Sequence, residues 1–324
     1  MKILVTGAAG FIGFHLCEKL LKDKHQILGI DNINNYYDVK LKKDRLNILL
    51  KKKNFKFKKI DISNTSFVKK IYSLTKDFKI IIHLAAQAGV RYSITHPYKY
   101  IESNVKAQIS ILEFAKKIKN FQHLIYASSS SVYGLNKKIP FSISDRVDHP
   151  ISLYGASKRS GELIAQSYTR MFNIKCTGLR FFSVYGPWGR PDMAAYLFTK
   201  KLFENKTLDL FNFGRMERDF TFVDDIVNGI IPLIKFKKKK ENLHTVYNLG
   251  NNKPETLLRL VSLLEMFTER KAKINKKRMQ LGDVRHTYAN IKESKKDLKF
   301  KPKTSLKEGL EKFVNWYKEY HKIN

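Results

Sequence analysis

The chain has 324 residues, 43% of them hydrophobic, and carries 62 Lys and Arg against 29 Asp and Glu for a formal net charge of +33 at pH 7. That apolar content supports a large folded core and excludes a disordered chain, no apolar run approaches the length of a membrane span, and two cysteines exclude a disulfide framework. The charge raises nucleic acid or an anionic membrane as partners, but its lysines are scattered in short runs such as Lys51-Lys52-Lys53 and Lys237 to Lys240 with no basic arm, so a solvated basic surface is expected, with only weak polyanion binding at low salt.

Lys2–Val5 is a short apolar strand directly after Met1, so no signal peptide is expected and the cytoplasm is the expected location. The strand runs into Gly7-x-x-Gly10-x-x-Gly13 and a helix over Phe11–Lys22. Further strands are expected at Gln26–Ile30, Phe55–Ile60, Ile80–Leu84, His123–Ala127 and Lys175–Phe181, and helices near Lys40–Lys51, Pro97–Lys117 and Ser152–Phe172. Short apolar runs alternating with amphipathic segments predict an α/β fold, a Rossmann-like doubly wound parallel sheet with helices on both faces. After Phe181 the pattern loosens into Ser183-Val-Tyr-Gly-Pro187-Trp-Gly-Arg190-Pro-Asp192, an irregular loop that reads as the crossing into a smaller C-terminal α/β substrate domain. Cys17 and Cys176 fall inside predicted helix and strand, which suits packing roles in a reducing compartment. Neither they nor the nine histidines show metal-ligand spacing, so no metal is expected.

The strand, glycine turn and helix at the N-terminus form a unit suited to a pyrophosphate: glycines permit a tight turn and close backbone approach, and the helix N-terminus stabilises negative charge. Asp31 closes the second strand about 20 residues later, where a carboxylate accepts hydrogen bonds from ribose hydroxyls. It would repel a 2′-phosphate, so NAD is expected over NADP, with Lys40 and Lys42 weighing the other way. Downstream, the strand end Ala127-Ser128-Ser129-Ser130-Ser131 is followed by Tyr154-Gly-Ala-Ser-Lys158. Residues four apart share a helix face, so the Lys158 ammonium can lower the pKa of the Tyr154 phenol and make it a general base near neutral pH.

The order of glycine turn, hydroxyl-rich strand end and Tyr-x-x-x-Lys resembles the extended short-chain dehydrogenases/reductases over essentially the whole chain. The resemblance implies that Gly7, Gly10, Phe11, Ile12, Gly13, Asp31 and Asn32 meet the cofactor, that Asp61 and Ile62 contact its adenine, and that Leu84, Ala85, Ala86 and Gln87 form a shelf beside the nicotinamide half, with Asn104 on the following helix. Ser129 aligns with the catalytic Ser/Thr beside Tyr154, and Lys158 binds the nicotinamide ribose. Arg218-Asp-Phe-Thr-Phe-Val-Asp224 resembles the segment that returns to the cofactor-binding part. The expected division is therefore an NAD-binding domain over residues 1–180 with a returning segment near 218–250, and a mainly nucleotide-sugar-binding domain over 181–324.

Dehydratases of this superfamily place an Asp-Glu pair where Ser130 and Ser131 stand, so elimination is not expected, whereas an epimerase needs only hydride transfer and a ketone free to turn over. The segments Asp31-Asn-Ile-Asn-Asn35-Tyr-Tyr-Asp38, Gln87-Ala-Gly-Val-Arg91-Tyr-Ser93 and Phe181 to Met193 most resemble UDP-glucuronate 4-epimerases. C4 oxidation of a glucuronate gives a β-keto acid, whose carboxylate must be kept out of line with the carbonyl π system to prevent loss of CO2. Hydroxyls of Ser129, Ser130 and Ser183 with Arg91 or Arg190 supply suitable donors. Ser183 departs from the Thr of that group but keeps a hydroxyl. Arg218 is placed as the diphosphate ligand, Asp283 near the uridine ribose and Phe211 against uracil. Gln280 replaces an arginine of some relatives, leaving Arg278 or Arg285 as substitutes. Competing readings are a 4-epimerase of UDP-glucose or UDP-N-acetylglucosamine, a UDP-glucuronate decarboxylase, and a non-catalytic nucleotide-binding scaffold. The resemblance also implies a homodimer through the helices near Pro97–Lys117 and Ser152–Phe172.

Overall fold

The structure, a computed structural model, describes residues 1–64, 66–74, 77–235 and 243–323; the Lys237 to Lys240 run lies outside them. The first half alternates strictly: β1 (Lys2–Thr6), α1 (Phe11–Lys22), β2 (Gln26–Asp31), α2 (Val39–Leu50), β3 (Phe55–Lys59), α3 (Phe67–Leu74) and β4 (Ile80–His83). Two single turns, α4 (Tyr92–Thr95) and α5 (Pro97–Tyr100), lead through a π-helical segment at Ile101–Lys106 into α6 (Ala107–Lys117). Then come β5 (His123–Ser129), α7 (Leu153–Phe172) and β6 (Cys176–Phe181).

All these strands pair in parallel in the order β3-β2-β1-β4-β5-β6, and β10 (His244–Leu249) closes the far edge beside β6. The doubly wound sheet expected from the sequence is thus present, with one more strand. Its central strands are buried on both faces, as the near-continuous Ile-Val-Leu runs require: Ile3, Leu4, Val5, Ile80, Ile81 and Ile82 are essentially inaccessible. The strand order reverses between β1 and β4, opening a crevice at the carboxyl ends of those parallel strands, where ligands bind in such sheets. Cys17 and Cys176 are free and buried in the two layers that sandwich the sheet.

The expected Pro97–Lys117 helix is interrupted, because the π segment inserts extra backbone around Asn104. The remaining elements are β7 (Ser183–Tyr185), α8 (Ala194–Phe203), β8 (Leu208–Leu210), β9 (Glu217–Phe222), α9 (Val223–Ile230), β11 (Pro254–Thr256), α10 (Leu257–Thr268), β12 (Ile274–Lys276), β13 (His286–Thr287), α11 (Lys292–Leu298) and α12 (Leu306–His321). Strands β7, β9, β11 and β13 form a small sheet, and β8 pairs with β12. A separate apolar cluster of Tyr196, Phe198, Leu260, Leu264, Phe313 and Tyr317 packs this part. Helix α12 starts with a full capping box, in which Ser305 accepts from the Glu308 amide while the Glu308 carboxylate accepts from the Ser305 amide.

Candidate active site

A cleft of about 800 Å³ runs from the carboxyl ends of β1 and β2, past β4 and β5, to the small sheet. Every site residue expected from the sequence lines it except Asn104. Gly7 has φ of +71°, and a Cβ there would lie 2.7 Å from the Ala85 amide nitrogen. Only glycine allows that close approach. Helix α1 begins at Phe11 with Gly10 as its N-cap and no side-chain cap, so its first amides are left for an anion.

Asp31, at the end of β2, is fixed by accepting from the Ala9 amide at 3.2 Å and the Ile33 amide at 2.8 Å. The lysines that weighed towards NADP both have partners, although Lys42 lines the cleft and its charge acts on Asp31. Lys42 donates to Asn34 through its carbonyl oxygen at 2.7 Å and its Oδ1 at 2.6 Å, and Lys40 pairs with Asp44 at 2.6 Å. Asn32 donates to Asp61 at 2.9 Å, joining the two strand ends expected at the adenine. On the other side of β1, Thr6 Oγ1 lies 2.7 Å from His83 Nδ1 and accepts from the Ala85 amide at 3.2 Å, which sets the Leu84–Gln87 shelf.

Asn104 is the one expected site residue that is not among the described lining residues. It is buried behind the shelf, where its amide accepts from the Gln87 N–H at 2.8 Å and donates to the Gln87 carbonyl at 3.0 Å and to Ser157 Oγ at 2.8 Å. It acts on the backbone of the cleft wall rather than on the cleft itself. The π segment places it there, and sequence periodicity carries no mark of such a bulge.

Ser129 ends β5 and caps the turn over Ser130–Tyr133, accepting from the Ser131 amide at 3.2 Å. Ser152 caps α7 by accepting from the Gly155 amide at 3.1 Å, which fixes where Tyr154 and Lys158 emerge. Burial raises the Tyr154 phenol above its ordinary pKa; a hydrogen bond from Ser129 and the charge of Arg190 pull it back down. Asp192 acts in the opposite direction. The Lys158 ammonium donates to the Ala127 carbonyl at 2.9 Å, and burial brings its own pKa down to about 8. Tyr100, wholly buried, packs edge-on to Tyr154 with ring centroids 6.0 Å apart.

The two candidate arginines separate. Arg91 Nη2 lies 3.6 Å from Asp283 Oδ2, and its guanidinium sits 4.6 Å from the centre of the Phe211 ring. Arg218 belongs to this end: Asp283 and Arg91 are the charges acting on it after burial, and it donates to the Glu217 and Arg285 carbonyls. Arg190 instead acts on Tyr154. Ser130 and Ser183 line the cleft with it. Neither Arg278 nor Arg285 is among the described lining residues. Tyr36 and Asp192 line the cleft without having been marked as site residues by the sequence; Tyr36 Oη donates to Asp192 Oδ2 at 2.9 Å. Among the described residues no cluster of His, Cys, Asp and Glu is arranged to hold a metal.

A phenol and a hydroxyl poised beside a dinucleotide cleft on a doubly wound sheet define an oxidoreductase-like site of the short-chain type. Residues 3–250 match the model of the NAD dependent epimerase/dehydratase family, and the chain belongs to that family. It is similar to protein CapI of Staphylococcus aureus, with 48% identity over 99% of this chain and 100% of that protein. UDP-glucuronate 4-epimerase 2 of Arabidopsis thaliana is 43% identical over 99% of this chain and 77% of its own length. Among solved structures, UDP-glucuronic acid 4-epimerase from Bacillus cereus in complex with UDP-glucuronic acid and NAD superposes with a TM-score of 0.92 at 36% identity, covering 99% of this chain and all of that one.

Proposed function

We infer that the chain is an NAD-dependent epimerase that inverts C4 of UDP-glucuronate to give UDP-galacturonate. The observation that carries this is the placing of Ser129, Tyr154 and Arg190 along a cleft between the dinucleotide cradle of β1 and β2 and the group of Arg91, Phe211, Arg218 and Asp283. The likeness to the Bacillus and Arabidopsis enzymes supports the same substrate.

NAD fits the cradle: the Gly7 turn and the uncapped start of α1 suit its pyrophosphate, Asp31 its ribose hydroxyls, Asn32, Asp61 and Ile62 its adenine half, and Leu84 to Gln87 its nicotinamide half. When bound, NAD supplies a reversible acceptor for the C4 hydride. Tyr154 takes the proton of the C4 hydroxyl and returns it after the ketone has turned its other face. Ser129 hydrogen-bonds the same oxygen. Lys158, held on the Ala127 carbonyl, is placed to bind the nicotinamide ribose. Arg91, Arg218, Phe211 and Asp283 take the uridine diphosphate; Arg190, Ser130 and Ser183 take the uronate carboxylate. With hydroxyls rather than acids at Ser130 and Ser131, the cleft lacks the pair that dehydratases use there.

The finer assignments belong to the same proposal. Residues 1–180 with a returning segment near 218–250 form the NAD-binding part and the rest mainly the sugar-nucleotide part, a division supported by β10 joining the large sheet. A homodimer is supported by apolar residues left exposed on the two expected interface elements: Ile94, Tyr98 and Ile101 before α6 and Leu163, Met171 and Phe172 on α7. Sedimentation velocity at micromolar concentration tests it, a monomer counting against it. A cytoplasmic enzyme feeding surface polysaccharide completes the reading, and no described helix is long and apolar enough to cross a membrane.

The deciding experiment incubates purified protein separately with UDP-glucuronate, UDP-glucose and UDP-N-acetylglucosamine and resolves the products by chromatography. Conversion of UDP-glucuronate to UDP-galacturonate is expected. Epimers of the neutral sugars alone would assign the site to a neutral UDP-hexose, UDP-pentose as the main product would make it a decarboxylase, and bound NAD with no turnover would make it a scaffold.

A further inference from the structure

Arg190 is not a free cation. Its Nε donates to Asp192 Oδ1 at 3.0 Å and its Nη2 to Asp192 Oδ2 at 2.5 Å, leaving Nη1 as the terminal donor that Asp192 does not engage. Asp192 Oδ2 also accepts from Tyr36 Oη at 2.9 Å. Tyr36 comes from the loop after β2 that begins at Asp31, so the chain of contacts crosses the cleft from the cofactor side to the sugar side. The tyrosine is itself held: its ring packs on Tyr92 with centroids 4.8 Å apart, and a side chain at Gly89, where φ is +100°, would collide with its hydroxyl. Asp192 partly offsets the charge of Arg190, and the two-point contact fixes the direction in which the remaining donor points.

We propose that Tyr36 and Asp192 are positioning residues that fix the Arg190 guanidinium, so that it holds the substrate carboxylate out of alignment with the C4 carbonyl during the ketone stage. The inference rests on the UDP-glucuronate reading. With the guanidinium free to swing, the carboxylate aligns and the C5–C6 bond breaks; CO2 leaves, the electron pair becomes the enolate of the C4 ketone, and C5 takes a proton from water. Return of the hydride withdrawn from C4 then gives UDP-pentose, so redox balance is kept without another reagent. A neutral sugar has no group that needs this restraint.

The test measures the ratio of UDP-pentose to UDP-galacturonate formed from UDP-glucuronate by the parent, Tyr36→Phe, Asp192→Asn, Arg190→Ala and the Arg190→Ala/Asp192→Asn double variant. Calorimetric affinities for UDP-glucuronate and UDP are taken alongside. Displacing a positioning group by about 1 Å costs up to about 100-fold in aligned chemistry, so an increase of roughly tenfold or more in the ratio is expected for both Tyr36→Phe and Asp192→Asn, with UDP affinity unchanged. Asp192→Asn should add nothing once Arg190 is gone. An unchanged ratio in both single variants, or an additive effect in the double variant, overturns the proposal. Failure of the parent to form UDP-galacturonate would instead overturn the substrate reading.

Discussion

At the residue scale, the chemistry turns on how Tyr154 is made basic. Burial opposes its ionisation, and the structure offsets that with the Ser129 hydroxyl and the Arg190 charge, while Lys158 is held on the backbone of β5. Removing Ser129 therefore raises the phenol's pKa further. The phenolate fraction at a given pH falls, so in Ser129→Ala the acid limb of the pH–rate profile should move to higher pH; a limb at the parental position would mean the hydroxyl does not tune the base. Tyr154→Phe, which deletes the proton acceptor, should lower turnover by about 10²–10⁴-fold with NAD content retained, and activity within tenfold of the parent would contradict the assignment. The residue pair itself was legible, since Tyr-x-x-x-Lys follows a hydroxyl-rich strand end. The added charge of Arg190 was not, because it comes from a loop, Pro187 to Asp192, far along the chain.

At the scale of elements, α7 must be held in register with β5 for Ser129 and Tyr154 to meet. A buried network does this. Glu162, two turns beyond Tyr154, accepts from Arg180 of β6 at 2.8 Å through each oxygen and from Ser128 of β5 at 2.7 Å, and Arg159 joins at 3.1 Å. Burial disfavours the Glu162 carboxylate, but these donors outweigh it and hold its pKa below the usual range. Breaking such a pair costs about 3–5 kcal/mol. A depressed carboxylate stabilises the fold fully above its unfolded pKa, about 4.3, and the contribution is lost as pH falls through the folded value. Glu162→Gln should accordingly be less stable than the parent at neutral pH, with a shallower acid decline; denaturant midpoints from pH 7 down to the acid transition check this, and parallel curves would count against it. Strand and helix limits were readable to within a residue or two from apolar runs and caps. The π segment was not, since its extra residue leaves the apolar pattern unchanged on both sides.

At the scale of the molecule, the strands of the first half were legible because each is a complete apolar or amphipathic unit, and consecutive strands other than β3 and β4 lie side by side in the sheet. β10 was not foreseen: its partner β6 lies more than sixty residues earlier, about the length a chain needs to build another unit. Another long-range pairing, of β9 with β7 and β13, goes with Arg218 of β9 and Asp283 lining the cleft that Gly7 opens. Charge is the one global property the site does not use. The described cleft residues include both signs in paired form, Arg91 with Asp283 and Arg190 with Asp192, which suits one small nucleotide sugar better than a polymer. The central claim is that the C4 hydride leaves the sugar and returns to the same carbon from the other face. Incubating the protein with UDP-glucuronate deuterated at C4 and reading the product by NMR tests it most directly. The prediction is UDP-galacturonate with deuterium retained at its inverted C4; deuterium lost to solvent would show proton abstraction from carbon and would contradict hydride transfer through NAD.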